Sequence, residues 1–178
     1  MISTKHLNEE LFYAVKQGNL NSVKECIGKG ADFKAITKYG NTTLHLAAYW
    51  GNLDVVQYLI EIGIDINAIA KDGNTSLHLA VRDSEWDIAK YLIEQGADFN
   101  IIDSDGNIPL HWSVRNGGLD VVKYFVEKGV DLNTTDSDGL TAMDLAAATH
   151  NFDIVKYLSK KGCNLNGLLK KLRLKMDA

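Results

Sequence analysis

The sequence contains one proline in 178 residues, so no proline-rich linker divides it. Cysteine is almost as scarce. Cys26 and Cys163 are too few for a disulfide framework or a four-ligand zinc site, and both read as small core residues of a reducing compartment. No apolar run reaches the roughly 18–20 residues that span a bilayer, and the opening MISTKHLNEE lacks the apolar stretch of a secretory signal. A basic excess is missing too: the formal net charge is −4, the wrong footprint for phosphate-rich nucleic acid. These absences exclude a disulfide-stapled scaffold, make membrane contact an unpromising reading, and leave the cytoplasm as the expected compartment (a host cytoplasm, if the chain is a secreted effector).

What is present is enough to fold. Hydrophobic residues make up 46% and charged residues 24%, which supports a buried core and argues against disorder. Charge is uneven: Gly167–Ala178 (GLLKKLRLKMDA) carries four basic residues and one acid, which leaves Met1–Asn166 at −7. The stronger signal is a period of 33. Gly40, Gly73, Gly106 and Gly139 share it, as do Leu44, Leu77, Leu110 and Met143, and His45, His78 and His111. Gly30, Gly63, Gly96, Gly129 and Gly162 repeat the step, and so do Asn67, Asn100, Asn133 and Asn166. A fixed period of this length marks a repeat array.

The units read GNTTLHLAAYWGNLDVVQYLIEIGIDIN (40–67), GNTSLHLAVRDSEWDIAKYLIEQGADFN (73–100), GNIPLHWSVRNGGLDVVKYFVEKGVDLN (106–133) and GLTAMDLAAATHNFDIVKYLSKKGCNLN (139–166), with a degenerate copy at 11–32. On these residues the chain resembles the ankyrin-repeat family, whose pattern is roughly DxxGxTPLHLAAxxGxxxVVxxLLxxGADVN. The resemblance implies an all-α solenoid of helix-turn-helix pairs joined by hairpin-like loops. Its repeats would fall at about 8–36, 37–69, 70–102, 103–135 and 136–166.

Elementary physics agrees with that outline. Leu44–Trp50 is a short alanine-rich run, and Leu53–Glu61 places Leu53, Val56, Leu59 and Ile60 at helical spacing. Helices shorter than about 12 residues seldom persist alone, so pairing and stacking must supply their stability. Thr42, Thr75 and Thr141 are expected N-caps, and Pro109 suits a first helical turn. Gly63, Gly96, Gly129 and Gly162 suit left-handed helix ends. The pattern is broken in places. Ser84 and His150 replace the inter-helix glycine found at Gly18, Gly51 and Gly117, which makes the third and fifth repeats the expected soft joints. Ile108 replaces a capping threonine, Asp144 replaces the fifth histidine, and Phe12 stands at that position in the first repeat.

Catalytic readings find little support. Histidines one repeat apart are separated by roughly a helix-packing distance of 10 Å, far beyond a shared ion at about 2 Å. The resemblance gives them a capping role, bonded to the threonine and nearby backbone. Asp72, Asp105 and Asp138 sit at loop tips, where no cleft desolvates a carboxylate for acid–base work. No nucleotide loop, GxSxG, HExxH or CxxC motif is present. The chain is expected to be no enzyme and to need no cofactor. Asn67, Asn100, Asn133 and Asn166 hold a position that in the family is structural and sometimes hydroxylated; side-chain bonds to local backbone explain them without modification. Trp86 and Trp112 read as core, and the column Tyr58, Tyr91, Tyr124 and Tyr157 as packing with hydroxyls reaching solvent.

The expected function is binding another protein as a monomer, through the concave face and hairpin tips. By family register the contact residues are Lys38, Tyr39, Asn41, Tyr49 and Trp50; then Lys71, Asp72, Asn74, Arg82 and Asp83; then Ser104, Asp105, Asn107, Arg115 and Asn116; and finally Ser137, Asp138, Leu140 and Thr149. Tyr39, Tyr49 and Trp50 bring three aromatics to one repeat, and Arg82 and Arg115 suit an acidic group on the partner. The alternative is a scaffold or effector segment recruited to a membrane or larger assembly by its basic tail, 167–178. That tail also reads as a cap, with Leu168, Leu169, Leu172 and Met176 on one helical face.

With neither metal nor disulfide expected to hold the fold, chelators and reductants should leave the melting temperature unchanged. A fall with either reagent in differential scanning fluorimetry would overturn that reading.

Overall fold

A computed structural model describes residues 3–163. The basic tail and Asn166 lie outside the described residues. Every helix and strand element among the described residues is an α-helix; the only β-type pairings there are isolated antiparallel bridges, Ile36 to Thr42 and Thr135 to Thr141. The chain divides into two compact units between Asp98 and Phe99.

In the first unit, α1 (Thr4–Lys16) pairs with α2 (Leu20–Gly28), α3 (Thr43–Tyr49) with α4 (Leu53–Glu61), and α5 (Ser76–Arg82) with α6 (Trp86–Glu94). The inner helices stack as α1 on α3 and α3 on α5, and the outer ones as α2 on α4 and α4 on α6. In the second unit α7 (Pro109–Arg115) pairs with α8 (Leu119–Glu127) and α9 (Ala142–Ala148) with α10 (Phe152–Lys160); α7 packs on α9 and α8 on α10. This is the all-α stack of helical hairpins that the 33-residue period predicts.

The inner helices α3, α5, α7 and α9 have seven residues each, too few to survive alone. Burial rescues them. Leu44, Ala47 and Ala48 of α3 are fully enclosed, as are Val55, Val56 and Leu59 of α4; each large aliphatic side chain so removed from water contributes about 1.5–3 kcal/mol. Leu53 and Ile60, also expected in that stripe, are only half-buried, because they flank it at the helix edge. Trp86 departs from expectation in the same way. It opens α6 at the position Leu53 holds in α4, and it is half-buried instead of core. The tyrosine column is half-buried throughout, and Lys24 lies over Tyr58, Lys128 over Tyr124 and Lys161 over Tyr157. Helix α1 starts at Thr4, ahead of the first recognisable repeat, because Leu7 adds a buried residue and Ser3 caps the end.

Asparagines tie successive loops together. The side-chain oxygen of Asn67 accepts from the Asp98 amide at 2.8 Å, and that of Asn100 from the Asp131 amide at 3.3 Å. These bonds reach 31 residues along the chain and are not local, so Asn67 and Asn100 each fasten their loop to the next.

The turn from inner to outer helix closes the same way each time. In the first unit Gly51 donates to Ala48 and Asn52 to Ala47, with Gly51 at φ 73°. Ser84 and His150 complete the same motif at φ 65° and 59° without being glycine. A side chain in this left-handed region costs about 1–2 kcal/mol. Ser84→Gly and His150→Gly should therefore each stabilise the protein by about 0.5–1.5 kcal/mol, once glycine's extra unfolded-state entropy is subtracted. Urea denaturation measures this, and a loss of stability in both variants would refute the strain argument.

Candidate partner-binding surface

The surface is built on the loops between repeats. In each, a short hairpin closes around a glycine. Thr37 donates to the Asn41 carbonyl at 2.9 Å and Gly40 to that of Thr37 at 2.9 Å; the loops at Ala70–Asn74, Asp103–Asn107 and Asp136–Leu140 repeat both bonds. Neighbouring hairpins within a unit are also joined: the Lys71 amide donates to Tyr39 at 3.1 Å and the Ser137 amide to Asp105 at 2.7 Å. That approach adds a steric reason for glycine at two positions of the series, beside the positive φ that all four share. Gly40 and Gly106 have φ of 81° and 76°, and a Cβ there would stand 3.0 Å from the Lys71 nitrogen and 2.9 Å from the Ser137 nitrogen.

Histidines anchor these hairpins to the helices. His45 is fully buried. Its Nδ1 accepts from the Thr42 amide at 3.2 Å and lies 2.8 Å from the Thr42 hydroxyl, and its Nε2 lies 3.0 Å from the Asn74 carbonyl. An accepting Nδ1 leaves the single proton on Nε2, which donates to that carbonyl. His111 does the same between the Ile108 amide (3.1 Å) and the Thr134 carbonyl (3.2 Å). Ile108 has no hydroxyl to add, so the α7 cap rests on the ring alone. Burial pushes both imidazoles below the ordinary range, against the opposing pull of the carbonyl bonds and, for His111, of Asp136. In α9, Asp144 accepts from the Thr141 hydroxyl at 2.8 Å and amide at 3.1 Å, so it serves the cap but carries no ring N–H for an onward bond. The capping role implied for the histidines is what the geometry displays. No group of three or more His, Cys, Asp or Glu among the described residues could hold a metal.

In the first unit the hairpins and the ends of the inner helices surround a cleft of about 200 Å³. Asn41, Tyr49, Trp50, Asp72 and Arg82 line it, over a floor of His45, Leu46 and Leu79. Five of the expected contact residues are thus brought together. Tyr49 is 39% exposed and Trp50 45%, with their rings edge-to-face at 5.1 Å and 84°. Tyr39, 63% exposed at the neighbouring tip, lies beneath Lys38 at 4.8 Å. Partial burial alone would raise the Asp72 carboxyl, but hydrogen bonds from Asn74 and the nearby Arg82 charge hold it below its usual range. Arg82 is 3.5 Å from Asp83.

The second unit organises its surface around two buried carboxylates. Asp103 accepts from the Asp105 and Asn107 amides and, through its other oxygen, from the Trp112 indole at 3.1 Å. Asp136 accepts from the Asp138 and Leu140 amides and pairs with Arg115 at 3.2 Å. Ser104, Asp105, Asn116, Ser137, Asp138 and Thr149 are exposed and Leu140 is half-buried.

Several expectations need correction. Asn74 and Asn107 are 6% and 1% exposed, so they support the hairpins from inside and do not offer themselves to a partner. Trp112 is half-buried, held at the surface by its bond to Asp103 and by Arg115 stacked over its ring at 5.0 Å. Arg115 is already committed to that ring and to Asp136, so its charge is not available as expected. Three features went unmarked in the sequence. Asp103 and Asp136 were legible as the leading aspartate of the DxxG pattern. Ile36 and Ile69, 62% and 58% exposed, share the period but read as core by hydropathy alone. Lys16, whose amine lies 4.7 Å over the Trp50 ring, stands 33 residues before Tyr49.

A family model described as ankyrin repeats (three copies) matches residues 11–103 and 87–167. No curated protein matches the chain.

The buried imidazoles set a pH dependence. Their folded pKa lies below the unfolded value near 6.5, so the stability they contribute is complete above about pH 6.5 and is lost as pH falls, because only the unfolded chain takes up the protons. The melting temperature should therefore drop as pH falls through about 6.5, with the Cε1 protons of His45 and His111 titrating below that unfolded value in the folded protein. Either ring titrating at or above about 6.5 would overturn the assignment.

Proposed function

The chain belongs to the ankyrin-repeat family, and we propose that it is a non-catalytic docking module that holds a partner protein through its hairpin tips and inner-helix ends, with Tyr49 and Trp50 as the anchor. Ankyrin repeats are in general protein–protein interaction modules. The observation that carries the reading is the exposed aromatic trio beside the first-unit cleft. Most residues that keep the period are buried or bonded into the stack, whereas Tyr39, Tyr49 and Trp50 are large, exposed and break it. Aromatic residues of this kind dominate binding energy when a partner desolvates them. The cleft is of a size to take one apolar side chain, with Asn41, Asp72 and Arg82 as a polar rim. Both cysteines are free thiols, which fits a reducing cytoplasm as the setting.

Among the described residues no helix is long and apolar enough to cross a membrane.

The test uses the partner recovered with the full chain from its native cell. Tyr49→Ala and Trp50→Ala should each weaken its binding at least about tenfold. Their melting temperatures should move little, because Tyr49 and Trp50 are 39% and 45% exposed and pack edge-to-face mainly on each other, with Lys16 over the Trp50 ring adding about 0.5–1 kcal/mol. Normal binding by both variants, or a loss of stability that tracks the loss of binding, would place the anchor elsewhere.

A further inference from the structure

A groove of about 440 Å³ opens along the first helical hairpin, lined by α1, α2 and the turn between them and by no later residue. Ala14 and Cys26 are its buried floor, and Tyr13 stands beside them 67% exposed. In the second repeat the same register holds Ala47 and Leu59, both fully enclosed in a hairpin on which α1 and α2 stack. The first hairpin thus keeps the floor of a stacking surface with no described element over it. Its rim is unlike that of any other copy. Glu9, Glu10 and Glu25 line it, and at none of these registers does a later repeat carry an acid. Against them stand Lys29, 2.7 Å from Glu25, and the exposed His6, 3.2 Å from Glu10; Glu9 has no ion pair among the described residues. The Tyr49–Trp50 cleft, by contrast, balances Asp72 with Arg82, and the groove between α1 and the first loop sets Lys5 and Lys38 against Glu9.

An uncovered face of a repeat stack must be polar to stay soluble, but solubility asks for neither one sign of charge nor an exposed tyrosine beside an apolar floor. An excess of carboxylates around such a floor suits a segment that is basic and apolar at once. This chain carries one. Within 167–178, Leu168, Leu169, Leu172 and Met176 recur at helical spacing, and Lys170, Lys171, Arg173 and Lys175 stand among them. Three residues, 164–166, tie the segment to Cys163, a reach of about 10 Å, and α10 before it packs on α8 and α9. We propose that residues 167–178 of one copy dock in the α1–α2 groove of a second copy. Their apolar side chains lie over Ala14, Cys26 and Tyr13, and their basic residues face Glu9, Glu10 and Glu25. Segment and groove are different parts of the chain, so the contact is head-to-tail and builds either a ring or an open string of copies. The groove shares no residue with the Tyr49–Trp50 cleft, and the proposal is independent of the docking reading.

Sedimentation velocity of the full chain over a concentration series tests the inference. The wild type should grow from monomer to larger species as concentration rises, and fall back as salt is raised. Self-association should weaken at least about tenfold in the groove reversal, Glu9→Lys with Glu10→Lys, and as much in the segment reversal, Lys170→Glu with Lys171→Glu. Leu172→Asp should weaken it through the apolar face. A chain bearing all four reversals should associate again, a recovery that general damage to the fold would not give. Melting curves verify that each variant is folded; should the groove reversal fail to fold, Glu9→Gln with Glu10→Gln serves in its place. A wild type that stays monomeric throughout would overturn the proposal. So would association that ignores the groove reversal, or a fourfold variant that does not recover. Flotation with phosphatidylserine vesicles that needs Lys170 and Lys171, from a chain monomeric at every concentration, would overturn it in favour of a membrane surface.

Discussion

Seven-residue helices have too few internal hydrogen bonds to hold themselves, and this constraint orders the rest of the molecule. Each must be capped at its start, packed along its length and fastened to the next repeat. His45 shows how one side chain meets two of these needs at once. Through Nδ1 it completes the cap with Thr42, and through Nε2 it secures the backbone of the next hairpin at Asn74. The arrangement works only with a neutral ring, because a protonated Nδ1 could not accept from Thr42 and a bare charge in a fully enclosed site is costly. Burial enforces that state. The position of the hairpin tips, and so of the residues around the cleft, depends on a hydrogen bond made at the helix start.

Helix placement was legible because the repeat presents the same physical problem several times. The spacing alone located Leu53–Glu61, and the hydroxyls of Thr42, Thr75 and Thr141 gave the caps of α3, α5 and α9. Ser84 and His150 could be recognised as left-handed because glycine fills that register in other copies. Repetition turns one ambiguous turn into a series with a rule and exceptions.

The surface was harder to read, and the errors share a cause. A position that flanks the hairpin glycine can face outward or inward. Lys71 and Asp72 face out, while Asn74, two and three residues on, is enclosed. Charge was misjudged for a similar reason. Arg115 reads as a free cation until Asp136, 21 residues away, is placed beside it at 3.2 Å. Trp112 reads as core until Asp103 offers its indole an acceptor near the surface. Each error turns on a pairing between separate loops, and a one-dimensional pattern does not contain it.

Stability and recognition make different demands on the same repeat, and this sequence answers them with different residues. Residues that keep the period, such as Leu44, Leu77 and Leu110, or His45 and His111, are enclosed and have little left to offer a partner. On the proposed docking reading, recognition falls to residues that break it. Tyr49 stands in register with Lys16, Arg82, Arg115 and Ala148, so the last residue of an inner helix is basic in three copies, aromatic in one and small in another. A position free to vary in this way is one on which the stack places little demand. The cost of exposing Trp50 and Tyr39 to water is partly offset by the lysines laid across them.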